Sequence, residues 1–253
     1  MIFDSHAHYD DGQFDMDRNA LLSEILPAKG VSGIINMASD LKSIPRVLEL
    51  TEKYDYIYGG IGIHPECAGN LPENYLEIVE NALRRRKIVA VGEIGLDYYY
   101  EDMCPKEKQK DVFASQLALA AKFALPVVVH DREAHGDTLN ILRDHRPKGV
   151  VHCFSGSAQT ALEVTRLGMY IGIGGVVTFK NARHIVEVAE SIPLNRLLLE
   201  TDCPYLAPVP MRGKRNDSSL IAYSAAKIAE IRGISAQEVL NASRDNIKAL
   251  FGI

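Results

Sequence analysis

The sequence predicts an α/β fold, a single (β/α)8 barrel of the TIM type that spans residues 1–253 as one domain. Three observations predict it: eight short apolar runs, longer amphipathic stretches between them, and polar residues near the C-terminal ends of most runs. Short runs rich in Ile and Val are typical of buried parallel strands, and eight strand–helix units fit a chain of this length. The alternative is an open doubly wound sheet, which is disfavoured because no G-x-G-x-x-G sequence follows the first run.

The elements follow one another in a regular order, and each apolar run is bounded by Gly, Pro or polar residues. The predicted strands are 2–8, 30–38, 56–64, 87–95, 125–131, 148–156, 169–175 and 196–202. Stretches with helical spacing include 16–29, 42–53, 74–86, 106–123, 158–167, 181–190, 217–232 and 235–250. Gly30 and Gly168 stand at expected helix C-caps, and Ser235 with Glu238 forms a capping-box pattern at the last helix.

Composition and charge restrict the class of protein. With 47% hydrophobic and 24% charged residues, the chain is globular in composition and not disordered, collagen-like or coiled-coil. The net charge of −5 argues against a broad basic surface that grips duplex DNA, although it leaves room for a local phosphate site. No long uncharged apolar run occurs, the first residues lack a signal-peptide pattern, and the four cysteines show no CxxC spacing. We therefore expect a reduced, cytoplasmic protein that does not span a membrane.

Histidines and carboxylates lie near the C-terminal ends of the apolar runs. Burying such groups without partners is costly, so their presence in apolar strands needs a reason. In a barrel of parallel strands these ends converge on one rim, which is where barrel active sites are built. The residues in question are His6, His8, His64, Glu93, His130, His152 and Asp202.

Side-chain direction along the strands sharpens this prediction. Successive residues of a strand alternate between its two faces, so His6 and His8 point to the same side and can reach one ion together. The same alternation predicts that Val89, Val91 and Glu93 share a face.

The set of polar residues predicts a metal centre. Imidazole nitrogens suit Zn, Mn, Co, Ni or Fe, carboxylates also admit Mg, and the absence of a cysteine cluster argues against structural zinc. Six ligands exceed what one catalytic ion needs when positions are left for water and substrate, so we expect two ions bridged by one carboxylate. The predicted ligands are His6, His8, Glu93, His130, His152 and Asp202. A lone strand histidine such as His64 is more often a hydrogen-bonded structural residue.

Eight segments carry a resemblance to a known family. They are DSHAHYD (4–10), GIHPE (62–66), VGEIGLDYY (91–99), LPVVVHDREAHGDTL (125–139), HCFSGS (152–157), IGIGGVVTFK (171–180), LLLETDCPYLAP (197–208) and RGKRN (212–216). In this order and over nearly the whole chain, the sequence resembles the TatD-family metal-dependent hydrolases, a branch of the amidohydrolase-like barrels. One departure is Asp217-Ser218-Ser219, where the family usually has an acidic residue followed by proline, so we expect this loop to sit differently.

The resemblance implies a metal-dependent hydrolase with two divalent ions, chosen from Mg, Mn, Zn and Co. It implies one ion held by His6, His8, Glu93 and Asp202, and the other by Glu93, His130 and His152. The family is similar to nucleases that shorten DNA, mainly as 3′→5′ exonucleases. The expected partner is therefore single-stranded DNA or DNA ends, with no membrane and no obligatory protein partner.

The predicted mechanism uses two catalytic carboxylates. Two ions can bind a phosphate oxygen, lower the pKa of a shared water to about neutral and stabilise the leaving oxygen. Asp202 is expected to accept the proton of that water while it also binds metal, and Glu93 bridges the ions. Glu200, one strand period before Asp202, is predicted to orient a ligand or the water. The alternative for Glu200 is a buried polar residue paired within the barrel.

Substrate-binding residues are predicted from their charge and their place near the rim. They are His64, Arg132, Lys180, Arg212, Lys214 and Asn216. Arginine suits bidentate phosphate contacts, although a solvated run of charge is the alternative for the RGKRN loop. The tyrosines at 98–100 are candidates for stacking on bases, with ordinary packing as the alternative. Since few phosphates would be neutralised, we expect a weak dependence of activity on salt.

Two other functions fit the same residues. The site could hydrolyse an ester or amide instead, because some TatD-like proteins are similar to D-aminoacyl-tRNA deacylases. The other alternative is a barrel that binds metal and a partner without catalysis, which would show metal-dependent stability and no hydrolysis.

Overall fold

Eight parallel strands form one sheet in sequence order, in a computed structural model that describes residues 1–100 and 104–253. The strands are β1 Ile2–Ala7, β2 Val31–Met37, β3 Ile57–Ile61, β4 Ile88–Asp97, β5 Val127–Arg132, β6 Gly149–Val151, β7 Tyr170–Ile173 and β8 Leu197–Leu199. A parallel bridge between Ala7 and Cys203 brings the chain after β8 back to β1. The sheet is therefore a nearly closed barrel, and the predicted fold class is confirmed.

Helices alternate with the strands. They are α1 Arg18–Ala20 and α2 Leu26–Ala28 on either side of the π-helical Leu21–Ile25, then α3 Ile44–Lys53, α4 Tyr75–Leu83, α5 Lys106–Phe123, α6 His135–His145, α7 Ala158–Arg166, α8 Arg183–Ser191, α9 Ile221–Arg232 and α10 Ala236–Phe251. Helix α6 was not predicted, because its sequence is largely polar and it ends at Arg146 in a left-handed conformation where glycine is usual. No helix among the described residues has both the length and the apolarity needed to cross a bilayer.

The predicted helix ends are confirmed where the sequence carries a specific signal. Gly30 and Gly168 have φ values of 83° and 89°, the left-handed region that side chains disfavour. The Ser235 side chain accepts the backbone N–H of Glu238, and the Glu238 carboxylate accepts the backbone N–H of Ser235.

The amino end of the barrel is filled by apolar side chains. Residues from six strands meet there beneath the C-terminal half of α10. They are Phe3, Ile35, Met37, Val89, Ala90, Val128, Val150, Leu198, Ile247 and Phe251. The cleft that contains the polar residues of the strands therefore opens at their carboxyl ends.

The strand that carries Glu93 departs from simple alternation. Val89 packs with the apolar residues inside the barrel, whereas Val91 belongs to the core between the strands and the helices. The pairing register shifts along the β3–β4 pair, and shifts again between Val91 and Ile94 along the β4–β5 pair. The prediction that Val89, Val91 and Glu93 share one face is therefore wrong for Val91, because irregular pairing resets the alternation before Glu93.

A buried polar network closes the seam between β1 and β8. The two carboxylate oxygens of Asp4 accept the backbone N–H groups of His6 and Thr201 and the hydroxyls of Thr201 and Ser218, at 2.6–3.2 Å. The backbone N–H of Ser218 also donates to the Tyr9 hydroxyl at 2.8 Å. A proline at position 218 could make neither contact, so the link between the loop after β8 and the seam depends on Ser218.

Candidate metal centre

The centre is built at the carboxyl ends of the strands around Glu93, which is 3% exposed near the end of β4. Four of the predicted ligands or neighbours lie one to three residues beyond the last residue of a strand. They are His8, His64, His152 and Asp202. Parallel strands end at the same rim, so residues distant in sequence meet there.

One oxygen of Glu93, Oε2, belongs to a first group of donor atoms. Oε2 lies 3.3 Å from His6 Nε2 and 3.6 Å from His8 Nε2, and these two nitrogens are 3.0 Å apart. Asp202 Oδ1 lies 3.6 Å from His6 Nε2 and 3.3 Å from His8 Nε2. Ligands about 2.1 Å from one ion are separated by about 3.0–3.4 Å in octahedral or tetrahedral arrangements. The spacing of these donors fits one divalent ion.

The other oxygen of Glu93, Oε1, belongs to a second group of donor atoms. Oε1 lies 2.7 Å from His152 Nε2 and 2.9 Å from His130 Nδ1, and these two nitrogens are 3.3 Å apart. His64 Nε2 lies 3.5 Å from the same oxygen. Glu93 thus presents its two oxygens to different sets of histidines, and the donor set again suits a divalent ion.

Hydrogen bonds on the far side of the rings orient two of the histidines. His8 Nδ1 lies 3.1 Å from the carbonyl oxygen of Met37, and His130 Nε2 lies 2.9 Å from Asp97 Oδ2. Asp97 is itself held by Gln109, whose side chain bonds both the N–H and the carbonyl of Asp97 at 2.8 Å. Such partners fix which ring nitrogen faces a metal.

Asp97 was not among the site residues predicted from the sequence. A signal was present, since Asp97 lies four residues after Glu93 in the same apolar run, which is twice the strand period. The predicted strand ended at residue 95, two residues short of the observed end of β4.

Charges inside the cluster set the protonation of the carboxylates. Burial raises the pKa of Glu93, but the positive field of the surrounding histidines, His152 above all, outweighs it and holds that pKa well below its usual range. Burial likewise opposes ionisation of Asp202, yet its hydrogen bond with His8 and the nearby histidine charges lower its pKa. Both carboxylates are therefore ionised at neutral pH.

The histidines divide into two kinds. Burial disfavours charge on His8 and His130, but hydrogen bonds to Asp202 and to Asp97, together with Glu93, outweigh it and raise each pKa to about 10. Burial and the charge of a neighbouring histidine lower the pKa of His6 to about 4. The first kind holds protons that a metal would displace, and the second is already neutral.

The cleft above these residues has a volume of about 630 Å³ and contains two of the predicted substrate residues. His64 lies on its wall and accepts the backbone N–H of Glu66 at Nδ1, 3.3 Å away, so its ring proton is placed on Nε2. Arg132 also lines the cleft, with its guanidinium carbon 3.8 Å from the centre of the Tyr99 ring. Tyr100 lies on the same wall, whereas the Tyr98 hydroxyl donates to Asp137 at 2.7 Å.

The structure does not bring the other predicted substrate residues to the metal cleft. Arg212 and Lys214 line a neighbouring cavity of about 370 Å³, and Lys180 is exposed away from both cavities. Asn216 is fully buried, and its amide N–H groups donate to the carbonyls of Thr201 and Tyr205. The side chain of Asn216 therefore stabilises its own loop.

Glu200 lies beneath the cleft and is 1% exposed. Its Oε1 accepts the backbone N–H of Cys153, and its Oε2 has no hydrogen-bond partner in the part of the chain that the structure describes. Burial raises the pKa of Glu200 to about 8. Glu200 therefore anchors the backbone of Cys153, the residue that directly follows His152.

Sequence and fold comparisons agree with this geometry. A family model described as TatD related DNase matches residues 3–252. The chain belongs to the TatD family. Bacillus subtilis YabD, described as an uncharacterized metal-dependent hydrolase, is 42% identical over 256 residues, which cover 100% of both chains. This TatD family member is therefore a metal-dependent hydrolase, and its His/Asp/Glu clusters are candidate metal-binding groups.

Two further relatives extend the comparison. A Citrobacter koseri protein named 3′-5′ ssDNA/RNA exonuclease TatD is 32% identical over 260 residues, covering 100% of this chain and 99% of that protein. The crystal structure of YjjV, a TatD homologue from Escherichia coli, matches with a TM-score of 0.93 and 36% identity, covering 100% of this chain and 98% of the other.

Proposed function

We propose that this TatD family member is a deoxyribonuclease that uses two divalent ions to remove nucleotides from the 3′ end of single-stranded DNA. The observation that carries the proposal is the placement of Glu93, whose Oε2 lies near His6 and His8 while its Oε1 lies near His130 and His152. A carboxylate that serves two donor sets suits a pair of ions, and two-ion sites are common in enzymes that cleave phosphodiesters. The name of the Citrobacter koseri relative supports the choice of nucleic acid as substrate.

The distances support a division of the ligands into two groups. His6, His8 and Asp202 would hold one ion with Glu93, and His130 and His152 would hold the other. Mg, Mn, Zn and Co all fit this donor set. Bound there, such ions supply a Lewis acid for a phosphate oxygen and lower the pKa of a bound water to about 7.

Asp202 is the carboxylate that we expect to accept the proton of the attacking water. Its side chain is 19% exposed to the cleft, compared with 5% for Glu93, so it is the more accessible of the two. Its lowered pKa keeps it ionised at neutral pH and ready to act as a base. Glu93, enclosed by histidines, is left to hold the two donor groups together.

His64 and Arg132 are the residues that we expect to bind the phosphate that is cleaved. Both side chains line the cleft, where His64 Nε2 lies 3.5 Å from Glu93 Oε1 and the guanidinium of Arg132 is oriented by its contact with Tyr99. Both can donate to phosphate oxygens. Glu200 contributes indirectly, because it holds the backbone next to His152.

The test is digestion of 5′-labelled single-stranded DNA with Mg, Mn, Zn or Co. We expect a ladder that shortens stepwise from the 3′ end and disappears with EDTA and in Glu93→Gln. Glu190→Gln, at an exposed glutamate on α8, is the matched control and should digest normally. No shortening with any of the four metals would overturn the proposal, and hydrolysis of a D-aminoacyl-tRNA in its place would identify the ester alternative.

A further inference from the structure

A second cavity lies directly beside the metal cleft. It has a volume of about 370 Å³ and is formed by the loop that follows β8. Tyr205 and Leu206 line both cavities, so these two residues are the wall between them. A polymer that leaves the metal cleft over this wall enters the second cavity.

The two cavities differ in charge. The described residues that line the metal cleft are of mixed charge, because Arg132 and the protonated His8 and His130 lie there with five carboxylates, Glu66, Glu93, Asp97, Asp131 and Asp202. The charged residues described around the second cavity are all basic, namely Arg212, Lys214 and Arg215. The second cavity is therefore suited to an anion without help from a metal.

Two of these three cations are free to bind a ligand. Arg215 is committed, because its guanidinium donates to both carboxylate oxygens of Asp17 and to the carbonyl of Gln13. The guanidinium carbon of Arg212 lies over the Phe179 ring, 4.3 Å from its centre. Across residues 1–100 and 104–253, neither Arg212 nor Lys214 has a side-chain hydrogen bond or an ion pair.

The wall between the cavities is rigid and aromatic. The Tyr205 hydroxyl donates to Asp11 at 2.7 Å, and its backbone N–H donates to the Asp202 carbonyl at 3.0 Å. Asn216 donates to the Tyr205 carbonyl at 2.7 Å, which joins the basic loop to the same point. The Tyr205 ring is nevertheless 49% exposed. A fixed, half-exposed ring is a stacking surface for any base.

The 3′→5′ direction of the proposed cleavage decides which phosphate the second cavity would hold. An enzyme that removes the 3′-terminal nucleotide has only one phosphate to cleave, and every other phosphate of the strand lies on its 5′ side. We propose that the cavity of Arg212 and Lys214 is a subsite for the phosphate 5′ to the cleaved one, and that Tyr205 stacks on the nucleotide between them. This inference rests on the proposed exonuclease function and adds a site that grips the retained strand.

The experiment compares a dinucleotide, which has one phosphate, with a trinucleotide, which has two, in the metal-loaded full-length protein. For the wild type we expect a KM at least about tenfold lower for the trinucleotide, since a charge-assisted phosphate contact is gained. In Arg212→Ala/Lys214→Ala this ratio should fall to near one. In Tyr205→Ala the KM should rise for both substrates.

A control variant makes the same change of charge at the other end of the barrel. Lys148 and Arg166 are exposed and precede β6 and β7, so Lys148→Ala/Arg166→Ala should keep the wild-type ratio. Salt gives a second measurement, because each phosphate contact on a single strand adds about 0.7 to the slope of log affinity against log salt. That slope should drop by about 0.7 for the trinucleotide in Arg212→Ala/Lys214→Ala.

The outcomes separate the two proposals. If the wild type shortens no oligonucleotide with any divalent ion, the proposed function fails. If it cleaves both substrates with equal KM, or if Arg212→Ala/Lys214→Ala keeps the wild-type ratio and salt slope, the subsite is wrong and the exonuclease stands.

Discussion

The two ends of the barrel are made from the same strands but contain opposite kinds of buried residue. Val128 packs in the apolar amino end, and His130, two residues later on β5, faces Glu93. Leu198 and Glu200 show the same change across the end of β8. Burial of the apolar side chains stabilises the fold, whereas burial of the polar ones is costly unless they bind partners. Along these strands, the residues that stabilise the fold therefore lie at the amino end, and the polar residues of the candidate metal centre lie at the carboxyl end.

The largest effect should come from the centre of the polar end. Glu93→Gln removes the charge that both donor groups share, so we expect kcat/KM to fall by about a thousandfold or more. The melting temperature of the metal-free variant should also fall, because the protonated His8 and His130 lose a carboxylate with which they pair. Nuclease assays and calorimetry in EDTA measure the two quantities. Wild-type kcat/KM in Glu93→Gln would contradict the role of this carboxylate at the polar end.

The opposite result is expected at the apolar end. Phe251→Ala opens a cavity beneath the barrel and should lower the free energy of unfolding by about 3 kcal/mol. Urea denaturation measures this change, and kcat at a temperature where the variant is folded should equal the wild-type value. Tyr223→Ala, at a half-exposed aromatic on α9, serves as control and should cost under about 1 kcal/mol. A lost kcat in Phe251→Ala would contradict the separation.

A smaller effect should follow at the second group of donor atoms. Asp97→Asn keeps the shape but removes the charge that orients His130, and we expect metal affinity and kcat/KM to fall by about 10–100-fold. The bonds of Gln109 to the Asp97 backbone remain, so the fold should survive. Metal titration with a competing chelator reads out the affinity directly. Unchanged affinity would show that Asp97 does not act through His130.

The smallest effect is a dependence of metal affinity on pH. The raised pKa values of His8 and His130, each about 10, keep both charged in the metal-free protein at pH 7. Their pairs with carboxylates stabilise that form fully below the ordinary histidine pKa of about 6.5, and this stabilisation is lost as the pH rises through about 10. Metal must displace these protons, so its apparent affinity should rise from pH 6 to pH 8.

Calorimetric titration in buffers of different ionisation enthalpy checks this prediction by counting the protons released per metal bound. An affinity independent of pH would contradict it. In Phe251→Ala the pH dependence should match the wild type, because no histidine or acidic side chain is among the described residues of that apolar cluster.

The sequence was most informative about the candidate site where a polar residue interrupts an apolar run. His6, His8 and Glu93 interrupt apolar runs, and such interruptions are visible without a structure because burial of polar groups needs a reason. Val91 was assigned to the wrong face, since strand periodicity assumes a constant register and β4 has irregular pairing. The role of Asp97 was missed because the predicted strand ended two residues before it.

The directions of side chains in loops were the second feature that the sequence could not predict. The RGKRN motif identified a basic loop correctly, but it could not distinguish the exposed Arg212 from the buried Asn216. In a loop, side-chain direction follows from the backbone path, and the path depends on contacts with residues far away, such as those of Asn216 with Thr201 and Tyr205. A local pattern does not contain that information.

The seam between β1 and β8 also bears on when the polar groups of the candidate metal centre come together during synthesis. The backbone N–H of Asp202 donates to the His6 carbonyl, and that of His8 donates to the Cys203 carbonyl, so the first and last strands meet at the centre itself. Contacts between residues so far apart in sequence form late in folding. A ribosome that is still translating the middle of the message carries His6 and His8 without Asp202, and the hydrolase gains its complete set of acidic and imidazole groups only once the last strand has emerged.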